Sequence, residues 1–313
     1  MRAMRLHQFG SPDVLQLDEV ALPEPKGDEL LVRVHATSLN YAELGLRRGE
    51  MKAFSFWQMP LTLGFDLAGE VEARGANVTA FRPGDRVYGA IGHRGGANAD
   101  YACVKQSRVT LAPASLSLEA LAAVPVAGLT ALQALRGIAD LRAGQRVLVN
   151  GASGGVGAFA VQLAKRFGGT VTGVCSGAKR DFVLSLGADE VIDYQQEDFA
   201  ERRERWDVVF DASGKRDFAA LHGALSDEGR AISTRISPRG AFNALTSRLG
   251  AAPRYHFIPA RERSYDLAFL ARLIEGGELR APVDRTFGLE DLPVAHRYME
   301  SGEARGKVVV KVV

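Results

Sequence analysis

The chain has 313 residues, of which 46% are hydrophobic and 24% charged, a composition typical of a soluble globular protein with one large domain or two ordinary ones. Its formal charge of +2 comes from scattered basic residues, and we expect no nucleic acid partner. No apolar run approaches the roughly 18 residues of a membrane helix, so we expect no membrane segment. The two cysteines, Cys103 and Cys175, lie far apart, which favours a reducing, cytoplasmic setting and excludes a four-cysteine zinc site.

The first third of the chain is rich in short strands and turns. Residues 29–36 and 69–73 alternate in the manner of strands, and the turn at 81–85 leads into another strand. Helical periodicity is weak here, which indicates a compact β-rich domain rather than β-α-β units.

The pattern changes near residue 117. A helix is predicted to begin within 116–123, capped by Ser115 or Ser117, and a second helix is predicted over 130–138, opened by Thr130. Strands and helices then alternate, which predicts a parallel sheet covered by helices on both faces. The predicted strands are 147–150, 170–174, 190–193, 207–211, 230–233 and 256–258.

The last fifty residues differ again from this alternation. They predict a helix over 265–276, a short helix over 295–301 and a terminal strand over 307–313. The terminal strand is too apolar to stand alone, so we expect it to join the sheet of the first domain.

A glycine-rich turn follows the first strand of the alternating region. Gly154 and Gly157 match the second and third glycines of a dinucleotide-binding turn, while Ala152 holds the place of the first. Because strand, turn and helix follow in this order, backbone N–H groups at the helix N-terminus are available to bind a pyrophosphate. We therefore expect the turn to bind a dinucleotide cofactor; the alternative is a glycine turn without a ligand. The expected contacts are Ser153, Gly154, Gly155 and Val156.

The end of the second strand of this region predicts which nicotinamide cofactor binds. NAD-specific sites usually have an acid here, bound to the ribose hydroxyls. This chain has Ser176, Lys179 and Arg180 instead, a hydroxyl and two cations that suit a 2′-phosphate. We therefore expect NADPH rather than NADH, although the two cations could also be a solvated helix start.

Five stretches spread along the chain resemble the medium-chain dehydrogenase/reductase superfamily, and within it the zinc-free quinone oxidoreductase (zeta-crystallin-like) branch. The stretches are 64–71, 83–87, 125–131, 154–157 and 305–309. The resemblance implies an α/β protein, with a Rossmann doubly wound parallel sheet at 123–263 and a β-rich GroES-like catalytic domain at 1–122 and 264–313. It also implies a homodimer that uses NADPH to reduce quinones or α,β-unsaturated carbonyls.

A catalytic zinc is not expected. Zinc-dependent relatives carry a histidine where this chain has Phe65 and a ligand cysteine where it has Asn40. Phe65 cannot bind a metal, and Asn40 is a poor zinc ligand. Without a Lewis acid, simple alcohols and carbonyls are improbable substrates. A conjugated acceptor needs less help, because its developing charge is delocalised.

The resemblance also assigns residues to the nicotinamide and phosphate ends of the cofactor. Asn40 and Thr130 match positions beside the nicotinamide, with a turn asparagine and a helix cap as the respective alternatives. Tyr194 matches a tyrosine that reaches the 2′-phosphate, and we expect Lys307, in the terminal motif, to bind cofactor as well. Glu43 stands where typical members have an aspartate.

The substrate and the proton donor are less well defined. Tyr41 and His93 are candidate donors by chemistry alone, and water is the alternative. The substrate is expected in the cleft between the two domains. Flat acceptors could stack there on aromatic residues, with core packing as the alternative. Anionic acceptors could bind to arginines, with exposed surface arginines as the alternative. The aromatic residues are Phe54, Phe56 and Trp57; the arginines are Arg235, Arg239 and Arg248.

Two other functions stay open at this point. One is an enoyl-thioester reductase of a biosynthetic pathway, although residues 49–60 hold no tyrosine of the kind that some enoyl reductases use. The other is a catalytically silent NADPH-binding sensor or partner protein, which the lack of an evident proton donor would permit.

Overall fold

The structure is a computed structural model and describes residues 1–50, 59–92, 94–235 and 255–313. Its contacts divide the chain into two compact units, Met1–Leu129 with Glu262–Val313, and Thr130–Arg261. The domain limits expected from the sequence, 122/123 and 263/264, stay predictions. Within the described ranges, no helix is both long enough and apolar enough to cross a membrane.

Strands and helices are numbered along the described part of the chain. The strands β1 to β16 are Arg2–Leu6, Leu15–Glu19, Glu29–Ser38, Leu61–Thr62, Asp66–Arg74, Arg86–Ala90, Tyr101–Lys105, Val109–Leu111, Arg146–Asn150, Thr170–Cys175, Glu190–Asp193, Trp206–Asp211, Leu225–Ser233, Tyr255–Phe257, Val283–Gly288 and Lys307–Lys311. The α-helices α1 to α8 are Tyr41–Arg48, Leu118–Ala122, Pro125–Leu132, Gly155–Arg166, Arg180–Ser185, Phe218–Gly223, Ser264–Glu275 and Leu292–Glu300.

The first unit is built around β3. Its main sheet has the order β15-β16-β3-β5-β6-β8, with β7 also paired to β3, and a smaller sheet has the order β2-β1-β4. The pairs are antiparallel except β15 with β16. The terminal strand β16 pairs with β3, with Val310 opposite Thr37, which confirms that the end of the chain rejoins the first sheet. Apolar residues of β3, β5 and β16 form the core between these layers.

The second unit contains the parallel sheet. Its strand order among the described residues is β11-β10-β9-β12-β13-β14, and neighbouring strands run parallel throughout. The order grows outward from β9 in one direction and then restarts at β12 on its other side, which is the doubly wound arrangement. Leu148, Val209 and Ala231 on successive strands pack with Leu221 of α6 in one buried cluster. The predicted α/β fold class is therefore confirmed.

The helix containing Thr130 begins earlier than the sequence pattern predicts. Helix α3 starts at Pro125, and Thr130 lies in its body with 7% of its surface exposed. Thr130 is therefore not a helix cap, and the prediction that it opens the helix is wrong. Proline is well suited to the first position of a helix, because its fixed φ fits and its missing N–H has no partner to lose there. The preceding short helix α2 does have the predicted cap: Ser117 Oγ accepts from Ala120 N at 3.1 Å.

Candidate functional site

The glycine turn joins β9 to α4. Gly154 is the N-cap of α4, has an extended backbone, and offers no side-chain oxygen to the helix. The first-turn N–H groups of a helix have no partner within the helix, so this end suits an anion. Gly157 packs against the turn itself: a Cβ there would lie 2.1 Å from Gly151 O. Close packing of the helix on the turn therefore leaves no room for a side chain at position 157. This is the role of the third glycine in a dinucleotide site.

An acid that the sequence did not predict lies where the strand order reverses, between β9 and β12. Asp211 ends β12 beside the end of β9 and is fully buried. Its Oδ1 accepts from Asn150 Nδ2 at 2.8 Å, from Ser213 Oγ at 2.7 Å and from Gly214 N at 3.1 Å. These uncharged donors tie the two strand ends together at the edge where dinucleotides bind in such sheets.

The residues expected at the 2′-phosphate lie at one end of β10. Ser176 precedes a short 3-10 turn, Gly177–Lys179, and α5 follows. The guanidinium of Arg180 already makes one hydrogen bond within the protein, from Nη1 to Val191 O at 2.9 Å. Tyr194 is largely exposed, with 61% of its surface accessible. The structure thus brings the cations and the tyrosine to the same edge of the sheet, because β10 and β11 are parallel neighbours.

Asp193 adds a negative charge to this edge. It ends β11 opposite Cys175, and its Oδ2 lies 2.7 Å from where a Cβ on Gly177 would be. Burial raises the pKa of the Cys175 thiol to about 11; Asp193 also raises it, while Lys179 and Arg180 lower it. Three charged side chains therefore act on the end of β10. The sequence predicted Ser176, the two cations and Tyr194 at this end but not Asp193, because the closeness of Asp193 to Gly177 depends on how β10 and β11 pair.

A buried polar cluster occupies the centre of the first unit. Asp66, at the start of β5, is fully buried, and Lys307 of β16 is 2% exposed. Lys307 Nζ contacts Asp66 Oδ2 at 3.2 Å, Asn40 Oδ1 at 2.8 Å and Leu39 O at 2.9 Å. These three contacts match the three N–H groups of an ammonium. The prediction that Lys307 binds cofactor stays a prediction, and in this structure its donors all meet protein oxygens.

Asp66 holds several elements of the unit at once. Its Oδ2 also accepts from Ser38 Oγ at 2.7 Å, and its Oδ1 accepts from Val126 N at 2.7 Å in the first turn of α3. A carboxylate at that position suits the positive end of a helix. One side chain therefore joins β3, β5, α3 and, through Lys307, β16.

Asn40 and Glu43 complete this cluster. Asn40 Nδ2 lies 2.9 Å from Asp66 Oδ2 and 3.1 Å from Glu43 Oε1, and only 9% of the residue surface is exposed. Glu43 Oε2 accepts from Gly64 N at 2.9 Å. Burial raises the pKa of the Glu43 carboxyl to about 7, and Asp66 adds to this, although Asn40, Lys307 and Gly64 oppose it. Asn40 holds the N-cap position of α1, in the turn after β3, and its side chain belongs to this buried network. Its assignment to the nicotinamide stays a prediction.

The other predicted site residues are less constrained. Tyr41 begins α1 with 58% of its surface exposed. Ser153 is buried in the glycine turn and Arg235 is exposed after β13. Several predictions fall outside the described residues: His93, Phe54, Phe56, Trp57, Arg239 and Arg248.

Comparison with known proteins decides the family. Residues 26–114 match the alcohol dehydrogenase GroES-like domain and residues 186–310 match the zinc-binding dehydrogenase family model. The chain is 33% identical to the 2-methylene-furan-3-one reductase of Solanum lycopersicum, over 99% of this chain and 79% of that one. The quinone oxidoreductase of Coxiella burnetii is 32% identical with a TM-score of 0.92, covering 100% of this chain and 99% of that one.

The chain belongs to the zinc-free quinone oxidoreductase branch of the medium-chain dehydrogenase/reductase superfamily. It is therefore an oxidoreductase with a nicotinamide cofactor. A further member of the branch, the Escherichia coli quinone oxidoreductase complexed with NADPH, is 25% identical with a TM-score of 0.86, and each chain covers 100% of the other.

The residues of this branch member do not fit a catalytic zinc, despite the description of the matched family model. Phe65 packs in a small apolar cluster with Leu46 and Leu63. The carboxylate oxygens of Asp66 accept from Lys307, Asn40, Ser38 Oγ and Val126 N. The ammonium of Lys307 would repel a metal cation. Among the described residues, no group of three or more His, Cys, Asp or Glu side chains is arranged to hold a metal ion.

Proposed function

We propose that this protein transfers a hydride from NADPH to a quinone or an α,β-unsaturated carbonyl. The observation that carries the proposal is the buried Asp66–Lys307 pair. It lies next to Phe65, the position where, by the resemblance, zinc-dependent relatives carry a ligand histidine. A conjugated acceptor spreads the incoming negative charge over its own π system, so it depends less on a Lewis acid than a simple carbonyl does. The names of the relatives, two quinone oxidoreductases and an enone reductase, agree with this chemistry.

The cofactor supplies the hydride, and the chain supplies its position. We propose that the N–H groups of Ser153, Gly154, Gly155 and Val156 hold the pyrophosphate at the N-terminus of α4. The 2′-phosphate is proposed to bind to Ser176, Lys179, Arg180 and Tyr194. The Asp193 carboxylate at the same end would repel it. Asn40 and Thr130 are proposed for the nicotinamide end.

The proton that completes the reaction is proposed to come from water. Tyr41 is a candidate donor by chemistry, but more than half of its surface is exposed at the start of α1. An enolate or a reduced quinone is basic enough to take a proton without a strong acid, so catalysis is mostly alignment of the two reactants. A cytoplasmic homodimer is proposed as the working form. Strand β14 is one of the two edge strands of the described sheet, with β11, and is proposed to supply the contact.

A panel of acceptors tests this function. Purified protein is mixed with NADPH or NADH and with 1,4-benzoquinones, 2-alkenals or a crotonyl-thioester, and consumption of both cofactor and acceptor is followed. We expect quinones or 2-alkenals to be turned over with NADPH. Turnover confined to the thioester would identify an enoyl-thioester reductase. Cofactor binding without turnover of any acceptor would identify a sensor or partner protein.

A further inference from the structure

The buried carboxylate of Asp211 joins the carboxyl ends of three parallel strands. Asp211 is the last residue of β12, where it lies opposite Asn150 of β9 on one side and opposite Ser233 of β13 on the other. Its Oδ1 accepts from Asn150 Nδ2 at 2.8 Å, and its Oδ2 accepts from Ser233 Oγ at 3.4 Å. In an open parallel sheet, dinucleotides bind outside the carboxyl ends of the strands. Asp211 therefore lies at the edge of the sheet that carries the glycine turn.

Asp211 closes a ring of hydrogen bonds with Asn150 and Ser213. Asn150 Nδ2 donates to Asp211 Oδ1 and also, at 3.0 Å, to Ser213 Oγ, so both hydrogens of this amide have acceptors. Ser213 Oγ in turn donates to Asp211 Oδ1 at 2.7 Å. Asn150 is 8% exposed and Asp211 is fully buried, so little water is available to replace these bonds. The ring fixes the end of β9 relative to the loop that follows β12.

The ring acts on the glycine turn, because Gly151 directly follows Asn150. Gly151 has a φ of +78°, which favours glycine, and a Cβ there would lie only 3.0 Å from the Cβ of Ser213. Its carbonyl oxygen accepts from Gly154 N at 3.0 Å, and Gly154 is the N-cap of α4. Asn150 and Ser213 thus hold Gly151 from two sides, and Gly151 contacts the N-terminus of α4. That N-terminus is where the pyrophosphate is proposed to bind.

The groups around Asp211 require a carboxylate and not an amide. Its Oδ1 also accepts from Gly214 N at 3.1 Å, and its Oδ2 also accepts from Arg216 N at 3.3 Å. A backbone N–H can only donate, so each oxygen faces a group with which an NH₂ could not pair. An asparagine at position 211 would therefore lose a hydrogen bond in either orientation of its amide. Because the two side chains have nearly the same shape, Asp211→Asn is a specific probe of this ring.

A matched carboxylate lies at the other end of β12. Asp207 Oδ2 accepts from Arg146 N at 2.8 Å at the start of β9, and its Oδ1 accepts from Ser226 Oγ at 2.9 Å near the start of β13. Asp207 thus links the same three strands as Asp211, but at the opposite edge of the sheet. Tying strands together is common to both residues, whereas only Asp211 is connected to the glycine turn.

We propose that Asp211 is a positioning residue that, through Asn150 and Ser213, holds the glycine turn in the shape that receives the pyrophosphate of the cofactor. This inference rests on the proposed function. Opening the ring would free Gly151 to move, and the N–H groups at the start of α4 would then be aligned less well with the two phosphates. Asp211 acts on the cofactor through these neighbours.

Two ligands without a nicotinamide separate positioning from a general structural role. Adenosine 2′-monophosphate has the 2′-phosphate but no pyrophosphate, whereas 2′-phospho-ADP-ribose has both. Their dissociation constants are measured by calorimetric titration of the wild type and of Asp211→Asn, and urea titration verifies that the variant is folded. We expect Asp211→Asn to bind 2′-phospho-ADP-ribose about tenfold more weakly, the contribution of one hydrogen bond to a charged group. Binding of adenosine 2′-monophosphate should not change.

Asp207→Asn is the matched control. It removes a carboxylate from the same strand, so it should lower the free energy of unfolding, yet the ratio of the two dissociation constants should keep its wild-type value. If Asp211→Asn does not fold, Ser213→Ala replaces it. That change opens the same ring at a partly exposed loop residue, and the same selective loss is expected.

The outcomes separate this inference from the proposed function. Equal weakening of both ligands in Asp211→Asn, or a wild-type ratio in the folded variant, would overturn the inference alone. The same change of ratio in Asp207→Asn would also overturn it, because any lost tie between the strands would then have this effect. A wild-type chain that binds neither ligand would overturn the proposed use of NADPH together with the inference.

Discussion

Lys307 and Asp66 are 241 residues apart in sequence, yet Lys307 Nζ lies 3.2 Å from Asp66 Oδ2 in the centre of the first unit. The pair joins the last strand of the chain to β5, and through Val126 N it also fixes the start of α3. A buried ion pair is costly to desolvate. It stabilises a fold only when the remaining hydrogen-bond donors and acceptors of both groups also have partners. Here Asn40, Ser38 and Leu39 are those partners.

Removing one partner of this pair should destabilise the protein strongly. Asp66→Ala leaves the Lys307 ammonium buried and unpaired, so we expect the free energy of unfolding to fall by about 3–5 kcal/mol in urea titrations. Asp28→Ala is the control, because Asp28 pairs with Lys105 at 3.5 Å where both side chains are about half exposed. That change should cost less than about 1 kcal/mol. Equal effects of the two substitutions would contradict the structural role given to Asp66.

The Glu43 carboxyl should make stability depend on pH. Burial raises its pKa from the ordinary value of 4.5 to about 7. Between these values the folded chain keeps a proton that the unfolded chain has lost. Stability from this group is therefore fully present below pH 4.5 and is lost as the pH rises through about 7. The loss is on the order of 3 kcal/mol.

Glu43→Gln isolates this contribution. The variant cannot ionise at this position. As the pH rises from 4.5 to about 7, its unfolding free energy should therefore fall less steeply than that of the wild type. Glu24→Gln, at an exposed position, should retain the wild-type slope. A Glu43→Gln chain with the wild-type pH profile would show that the carboxyl titrates normally.

Lys179 should contribute to the preference for NADPH. We expect Lys179→Ala to weaken NADPH binding several-fold and to leave NADH nearly unchanged, because only NADPH carries the 2′-phosphate. Calorimetric titration with each cofactor measures the two effects. Lys165→Ala is a suitable control, since Lys165 pairs with Asp189 at 2.8 Å on the last turn of α4. Equal weakening of NADPH and NADH in Lys179→Ala would remove the basis for choosing NADPH.

Asp193 should act in the opposite direction. Its carboxylate lies beside Gly177, on the loop that carries Lys179, and it would repel a phosphate there. Asp193→Asn should therefore tighten NADPH several-fold relative to NADH, while Asp227→Asn, at an exposed position in β13, should not alter the ratio. Weaker NADPH binding in Asp193→Asn would instead indicate that the carboxylate accepts a hydrogen bond from the cofactor.

Local sequence patterns predict the parallel sheet well. All six strands of the described sheet overlap their predicted positions, because most are short apolar runs bounded by turns. Strand β15 was not predicted: none of its residues is buried, their burial alternates weakly, and its pairing with β16 defines it. The glycine turn was also predictable, since its chemistry lies within a few consecutive residues.

The buried cluster could not be predicted in the same way. Asn40, Glu43, Asp66 and Lys307 are each unremarkable in their local sequence, and they meet only because β16 returns to pair with β3. The substitution of Phe65 for a metal ligand was visible from the resemblance, but the ion pair beside it was not. Asp193 was overlooked for a similar reason, since its closeness to Gly177 depends on the register of β10 and β11.

Direct transfer of hydride from the cofactor to the acceptor is most directly tested with NADPH deuterated at C4. The labelled cofactor is incubated with the protein and the 2-alkenal or enone that is turned over fastest, and the product is examined by mass spectrometry and NMR. We predict that deuterium from one face of C4 appears on the carbon β to the carbonyl, while the α carbon takes its proton from water. A reduced product without deuterium from either face, or no oxidation of NADPH with any acceptor, would contradict the proposed function.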